Sequence, residues 1–230
     1  LFKGSLDAST RVEASEVVRE FVTSLTYGDS SDRIRSTLLL FNIATLLENT
    51  GSKYRFPFDL YEKQRWDIEH IRSVTEYRPQ RIEDQKAWLG QVRKYWEAVP
   101  PADEHSDLPA ESDRLLADFD RSRFEKLYER IVEAFGELVG TEVDNHIGNL
   151  TLLDDRTNRS YKNAVFPIKR QRILELDKIG TFVPLCTTNV FLKYYSRSEM
   201  GLLHWTKDDA EAYQDAMVKT LATFFLGGDV

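Results

Sequence analysis

The sequence predicts an α+β fold, predominantly α-helical, with a small core of two strands and one helix embedded among helices. Two observations carry this prediction. Most of the chain places its apolar residues at helical spacing. Only two short segments, residues 66–71 and 149–153, read as strands, and a mostly helical stretch separates them.

Residues 12–27 have apolar side chains at helical spacing and stop at Gly28-Asp29. Ser31 or Asp32 can cap a second helix that runs through Leu38-Leu39-Leu40-Phe41 to Leu47. Asn49-Thr50-Gly51-Ser52 ends it, so residues 1–53 are expected as a helical hairpin. Residues 54–61 are aromatic and interrupted by Pro57, and read as an extended edge segment feeding the first strand. Residues 84–96 read as a helix stopped by Pro100-Pro101. Residues 102–112 are acidic and contain proline, which suggests a mobile loop. Residues 113–139 suggest one long amphipathic helix with Gly140 at its end. Residues 80–145 are therefore an expected helical insertion within a central unit, residues 54–177. A helix over about residues 159–177, bent near Pro167, completes that unit. Residues 178–230 are expected to pack on it as a short helix over 184–195 and a last helix over 207–225. Thr206 can cap this last helix and Gly227-Gly228 can stop it.

A chain of 230 residues with 41% hydrophobic and 30% charged residues suits a globular protein with a sizeable core. No apolar run reaches the length of a membrane span, and no basic-then-apolar leader opens the chain. Leu1 in place of an initiator methionine points to a piece of a longer protein or a processed chain. One cysteine, Cys186, excludes an internal disulfide and paired Cys-x-x-Cys zinc knuckles, and suits a cytoplasmic home. It is expected as a buried structural thiol. The net charge of −7 is unlike that of a protein that binds nucleic acid by bulk charge. Charge is distributed unevenly, however. Residues 154–175 hold six basic residues (Arg156, Arg159, Lys162, Lys169, Arg170, Arg172) against three acidic ones.

The chemistry-bearing segments are Trp66-Asp67-Ile68-Glu69-His70-Ile71 and Ile147-Gly148-Asn149-Leu150-Thr151-Leu152-Leu153, with Asn158 nine positions after Asn149. An acidic residue beside a histidine on an apolar strand, followed by two spaced asparagines, resembles the site of an HNH (ββα-metal) nuclease. Phosphodiester hydrolysis needs a deprotonated water, neutralised phosphoryl charge and a stabilised leaving oxygen. A histidine of near-neutral pKa suits the first task. A hard divalent cation, Mg²⁺ or Mn²⁺, suits the others. In that assignment His70 is the general base. Glu69 and Asn158 are the metal ligands, and Asp67, on the same strand face as Glu69, ranks below them. Asn149 braces the loop or orients the base without touching the metal. Arg159, Lys162, Lys169 and Arg170 are candidate phosphate contacts. Each residue also has a plainer reading: His70 as a core histidine, Asn149 as a turn former, Asn158 as a helix cap. His146 is a minor site candidate, while His105 and His204 are expected to be structural or exposed.

The chain resembles the C-terminal nuclease domain of GmrSD-type restriction proteins, a branch of the HNH nucleases. The resemblance rests on Glu69-His70-Ile71, Gly148-Asn149-Leu150-Thr151-Leu152-Leu153, Asn158, Lys162-Asn163, Phe166 and Lys169. Leu39-Leu40-Phe41-Asn42, Thr188 with Val190-Phe191, and Trp205-Thr206 before an acidic helix add to it. The Asn149–Asn158 spacing is also similar to that of HNH domains in CRISPR effector nucleases, where such positions brace the site and bind Mg²⁺. That similarity favours Asn158 over Asn163 as ligand. The resemblance implies a bacterial anti-phage endonuclease or nickase acting on DNA. It also implies an N-terminal nucleotide-hydrolysing regulatory domain, for which this chain has no Walker A loop. Glu69 stands where many HNH sites have Asp, although Glu-His is usual in this branch. The gap from His70 to Asn149 is longer than in compact HNH domains. Two other functions fit the same residues: cleavage of RNA or structured nucleic acid, and a non-catalytic helical module with a degenerate HNH core.

Overall fold

The computed structural model describes residues 8–48, 54–63, 65–72, 78–135, 144–155, 164–196 and 204–227. The chain begins with helices α1 (Ala8–Thr23), α2 (Ser31–Glu48) and α3 (Phe58–Lys63), then strand β1 (Trp66–His70). Helices α4 (Ile82–Ala98), α5 (Leu108–Ala117) and α6 (Arg121–Ala134) follow. A 3₁₀ turn (Ile147–Asn149) leads into strand β2 (Leu150–Asp154), and α7 (Phe166–Lys178), α8 (Leu185–Phe191) and α9 (Lys207–Leu226) complete the chain. The fold is predominantly helical α+β, as the sequence predicts. Among the described residues no helix is long and apolar enough to cross a membrane.

The two strands pair antiparallel in the register Trp66↔Asp154, Ile68↔Leu152 and His70↔Leu150. The segments expected to meet across the long insertion therefore do meet. Residues of α2 and α8 cover this hairpin. Arg35 Nε of α2 donates to the Trp66 carbonyl (3.2 Å). Thr187 of α8 donates to the Leu152 carbonyl (2.8 Å), and the Thr151 and Thr187 hydroxyls lie 2.8 Å apart. Asn42 of α2 accepts from the Cys186 N–H (2.8 Å), which ties α2 to α8. Cys186 is fully buried, and its burial pushes the thiol up to about 11. It is the structural thiol expected from the sequence.

Helices α4, α5 and α6 pack together as a lobe. Trp88 is tilted over Tyr128 at 4.7 Å, and Trp96 stacks on Phe135 at 5.6 Å. Such rings are the largest single burial terms available to a small helical lobe, about 1.5–3 kcal/mol each. The lobe meets the rest of the protein where α4 packs on α7.

Four elements differ from expectation. Residues 58–63 form α3 because Pro57 starts a helical turn, its carbonyl accepting from both Leu60 and Tyr61 (3.0 Å each). Residues 102–112 are not a loop. They hold a 3₁₀ turn (Asp103–His105) and the start of α5, whose Pro109 sits in the first turn where no N–H is missed. Leu108 and Leu115 anchor α5 in the core. The single long helix is broken into α5 and α6 because the Asp120 side chain accepts from Arg123 N–H (2.7 Å) and starts a new helix. Pro167 begins α7 rather than bending a longer helix, and Val165 before it has extended backbone (φ −65°, ψ 156°). The ends expected at Gly51 and Gly140 lie outside the described residues.

The last helix behaves as its sequence predicts. Thr206 and Asp209 form a reciprocal capping box, and Gly227 closes the helix at φ 71°. Helix α9 packs against α1, α2 and the 3₁₀ turn before β2. Gly148 in that turn lies so close to α9 that a Cβ there would stand 2.5 Å from the Ala210 carbonyl oxygen. Only glycine lets these two backbones approach this far.

Asp209 also receives the buried Lys193 ammonium, which donates to the His204 carbonyl as well (2.7 Å). Burial alone would raise the Asp209 carboxyl. The Lys193 ammonium and the Thr206 N–H and hydroxyl outweigh it and hold the group below the usual carboxylate value. Stability from this pair is thus fully present above that usual value and disappears as the pH falls through the lowered one. Lys193→Met should cost about 3–5 kcal/mol in urea unfolding at neutral pH, because it leaves a buried carboxylate unpaired. The gap between variant and wild type should close in acid. Gly148→Ala should cost about 1–3 kcal/mol in the same assay, through the forced separation of the turn from α9.

Candidate functional site

The site forms where β1 ends. Alternation along the strand places Asp67 and Glu69 on one face and Ile68 and His70 on the other. Ile68 and Trp66 are buried, Asp67 and Glu69 half-buried. Glu69 and His70 are thus neighbours in sequence whose side chains serve opposite faces of the strand.

On one face, His70 Nε2 lies 2.9 Å from Asn145 Oδ1. The Tyr27 ring meets the imidazole edge to face, with centroids 5.0 Å apart. Tyr27 N–H in turn donates to the Asn145 carbonyl (2.8 Å), and Thr26 bridges to His146. The loop between α1 and α2 and the segment before the 3₁₀ turn therefore hold the imidazole together. Burial is the main cause that lowers the His70 pKa below its ordinary value, and the Lys169 ammonium adds to it. The Asn145 hydrogen bond and the Glu69 and Asp144 carboxylates oppose this without reversing it. His70 is consequently neutral near pH 7, the form a general base requires.

On the other face, Lys169 of α7 donates to Glu69 Oε1 and to the His70 carbonyl, each at 2.5 Å. Its side chain is fully buried, and that of Glu69 is 14% exposed. Expected at the surface as a phosphate contact, Lys169 instead has its ammonium inside the protein, neutralising the acidic site residue. The physical reason is charge: a half-buried carboxylate facing α7 needs a cation or a proton, and the lysine stem can pass through apolar surroundings to reach it.

Asn149 is 3% exposed and satisfies three backbone groups. Its Oδ1 accepts from Arg72 N–H (2.9 Å), and its Nδ2 donates to the carbonyls of Arg72 (3.2 Å) and Asp144 (2.9 Å). Its own carbonyl accepts from Ile71 N–H (2.8 Å). The side chain thus closes the end of the hairpin and ties the segment bearing Asn145 to the segment leaving β1.

The remaining expected residues are placed as follows. Asn158, Arg159, Lys162 and Asn163 lie outside the described residues. Arg170 is half-buried beside Tyr95, whose hydroxyl burial pushes up, the Arg170 charge opposing this without reversing it. Arg172 is an exposed residue paired with Glu175 at 3.4 Å. His146 is exposed, with Asp144 at 3.1 Å from its Nδ1. His105 sits in the 3₁₀ turn 3.6 Å from Glu104, and the His204 carbonyl serves Lys193. The residues that sequence reasoning missed are Asn145, Tyr27 and Asp144, together with the inward role of Lys169. Of these only Asn145 lies close to the motif, four positions before Asn149, but at the end of the stretch read as the helical insertion.

Mg²⁺ or Mn²⁺ calls for several oxygen ligands around one point. Among the described residues no three His, Cys, Asp or Glu side chains converge in that way. Glu69 offers one carboxylate, already bonded to Lys169. The described donors therefore do not by themselves fit a metal cage.

These observations define a class: a helical α+β domain with an antiparallel strand pair that holds a neutral, oriented histidine beside a neutralised carboxylate. Residues 133–220 match the family model described as GmrSD restriction endonucleases, C-terminal domain, which bears out the resemblance read from the motifs. The match covers β2, Asn149, Asn158 and Lys169, and joins Glu69 and His70 only through the strand pairing. It supports a restriction-like nuclease role at the level of the family. No curated protein and no solved structure matches the chain.

Asn149→Ala should orphan the backbone groups it serves, at a cost of about 1–3 kcal/mol for each group that stays buried. The Arg72 amide should then lose hydrogen-exchange protection before the α9 amides do, which nuclear magnetic resonance exchange would read directly.

Proposed function

We propose that the protein is a metal-dependent HNH endonuclease or nickase that cuts DNA, with His70 as the general base. The observation that supports this most is the neutral, held imidazole of His70 at the end of a strand whose partner belongs to the restriction endonuclease family match. In the reaction, the unprotonated imidazole nitrogen takes a proton from water. The resulting hydroxide attacks phosphorus in line with the 3′ oxygen. That P–O bond breaks, the leaving 3′ oxygen takes a proton from a solvent water, and the imidazolium gives its proton back to solvent, leaving a 5′ phosphate and a 3′ hydroxyl. Asn149 keeps the strand end and the Asn145 segment in register for this step.

The cofactor in this reading is Mg²⁺ or Mn²⁺, with Glu69 and Asn158 as protein ligands and Asp67 nearby. Such a cation would have to share or replace the Lys169 contact to Glu69. Arg159, Lys162 and Arg170 remain the candidate phosphate contacts, and Lys169 does not. The partners we propose are duplex DNA of invading phage and a nucleotide-hydrolysing regulatory domain, as the family resemblance implies. One observation favours a second reading, a module that binds without cutting: Glu69 is already neutralised from within the protein.

The test is conversion of supercoiled plasmid to open-circular form with Mg²⁺, Mn²⁺ or EDTA. The expected outcome is metal-dependent nicking by the wild type and a loss of about 10²-fold or more in His70→Ala, the usual scale for a general base. Asn158→Ala should fall similarly. Nicking that survives in His70→Ala would reject the assignment of the base. Labelled duplex, single-stranded DNA and RNA in parallel would establish the substrate.

A further inference from the structure

His70 has two ring nitrogens, and the described residues engage one of them. Nε2 lies 2.9 Å from Asn145 Oδ1, and Nδ1 has no hydrogen-bond partner among the described residues. An amide oxygen can only accept, so this contact requires the proton on Nε2. The neutral imidazole then carries its lone pair on Nδ1. Asn145 is itself fixed at both ends. Its carbonyl accepts from Tyr27 N–H, and the next residues are held by the Thr26–His146 bridge and the Asn149 bond to the Asp144 carbonyl. Tyr27 also presses its ring against the imidazole, which restricts rotation about the His70 side chain.

We infer that Asn145 is a positioning residue that selects the Nε2–H tautomer of His70 and so makes Nδ1 the atom that takes the proton from water. This rests on the reading of His70 as general base. It goes further in naming the atom and the residue that presents it. Asn145 touches neither water nor phosphate in this role and acts through the imidazole alone. A wrong tautomer turns the reactive nitrogen from acceptor into donor, and losses on the order of 10⁴-fold follow when an orienting partner is changed in this way in other enzymes.

The experiment uses imidazole ¹⁵N correlation spectra of the protein at a pH where its histidines are neutral, with His70 assigned from the spectrum of His70→Gln. The wild type should show His70 protonated on Nε2 and bare on Nδ1. Asn145→Leu, which removes the acceptor, should lose that preference and lower kcat for nicking by at least about tenfold with KM for DNA unchanged. Asn145→Asp, which keeps an acceptor oxygen, should restore the tautomer, and with it most of kcat in mildly alkaline buffer. A wild-type spectrum with the proton on Nδ1 would overturn the proposal. So would an Asn145→Leu protein whose tautomer and kcat match the wild type. The spectra stand whether or not the protein cuts DNA: an absence of nicking by the wild type counts against the nuclease reading, while the tautomer preference still decides what Asn145 does. Should Asn145→Leu fail to fold, the wild-type and Asn145→Asp spectra decide the matter alone.

Discussion

The site depends on one buried cation. Lys169 has a fully buried side chain and holds two groups of β1 at once, the Glu69 carboxylate and the His70 carbonyl. A charge with no exposure is tolerable only when it is paired and its protons are satisfied. Here the pairing joins α7 to the last two residues of a strand, at the point where the candidate chemistry sits. The result is a fixed distance between helix and strand that apolar packing alone would set less sharply.

From that constraint the rest of the geometry follows. A two-stranded hairpin is marginal without cover. This one is covered by α2 and α8 and closed at its end by Asn149, which bonds to the backbone on both sides. A slip of one residue in the register would turn Glu69 to the imidazole face and His70 toward α7. Lys169 would then lose its carboxylate, and Asn145 would lose its imidazole. The two faces are therefore mutually locking: the Glu69 carboxylate is neutralised on one side, and the His70 imidazole is held on the other.

Much of this was legible in the residues. The strand at Trp66–His70, the GNLTLL segment and the Thr206 cap each announce themselves by local pattern, because their determinants lie within a few positions. Gly148 was legible as part of a motif, but its reason, the close approach of Ala210, joins positions 62 apart and is invisible locally. The break at Asp120 was missed because the amphipathic period continues across it, so periodicity outvoted a capping residue. Lys169 was misread for a related cause. Lysine is a surface residue by default, and only the tertiary position of Glu69 makes an inward ammonium the favourable one. Asn145 escaped notice because its partner in the candidate site is 75 residues away.

The Lys169–Glu69 pair welds α7 to β1. A double-mutant cycle read by urea unfolding tests it most directly, with Lys169→Met, Glu69→Gln and the two combined. Lys169→Met alone should cost about 3–5 kcal/mol, and the combined variant should cost less than the sum of the singles by more than about 1 kcal/mol. Additive costs, or a Lys169→Met protein as stable as the wild type, would contradict it.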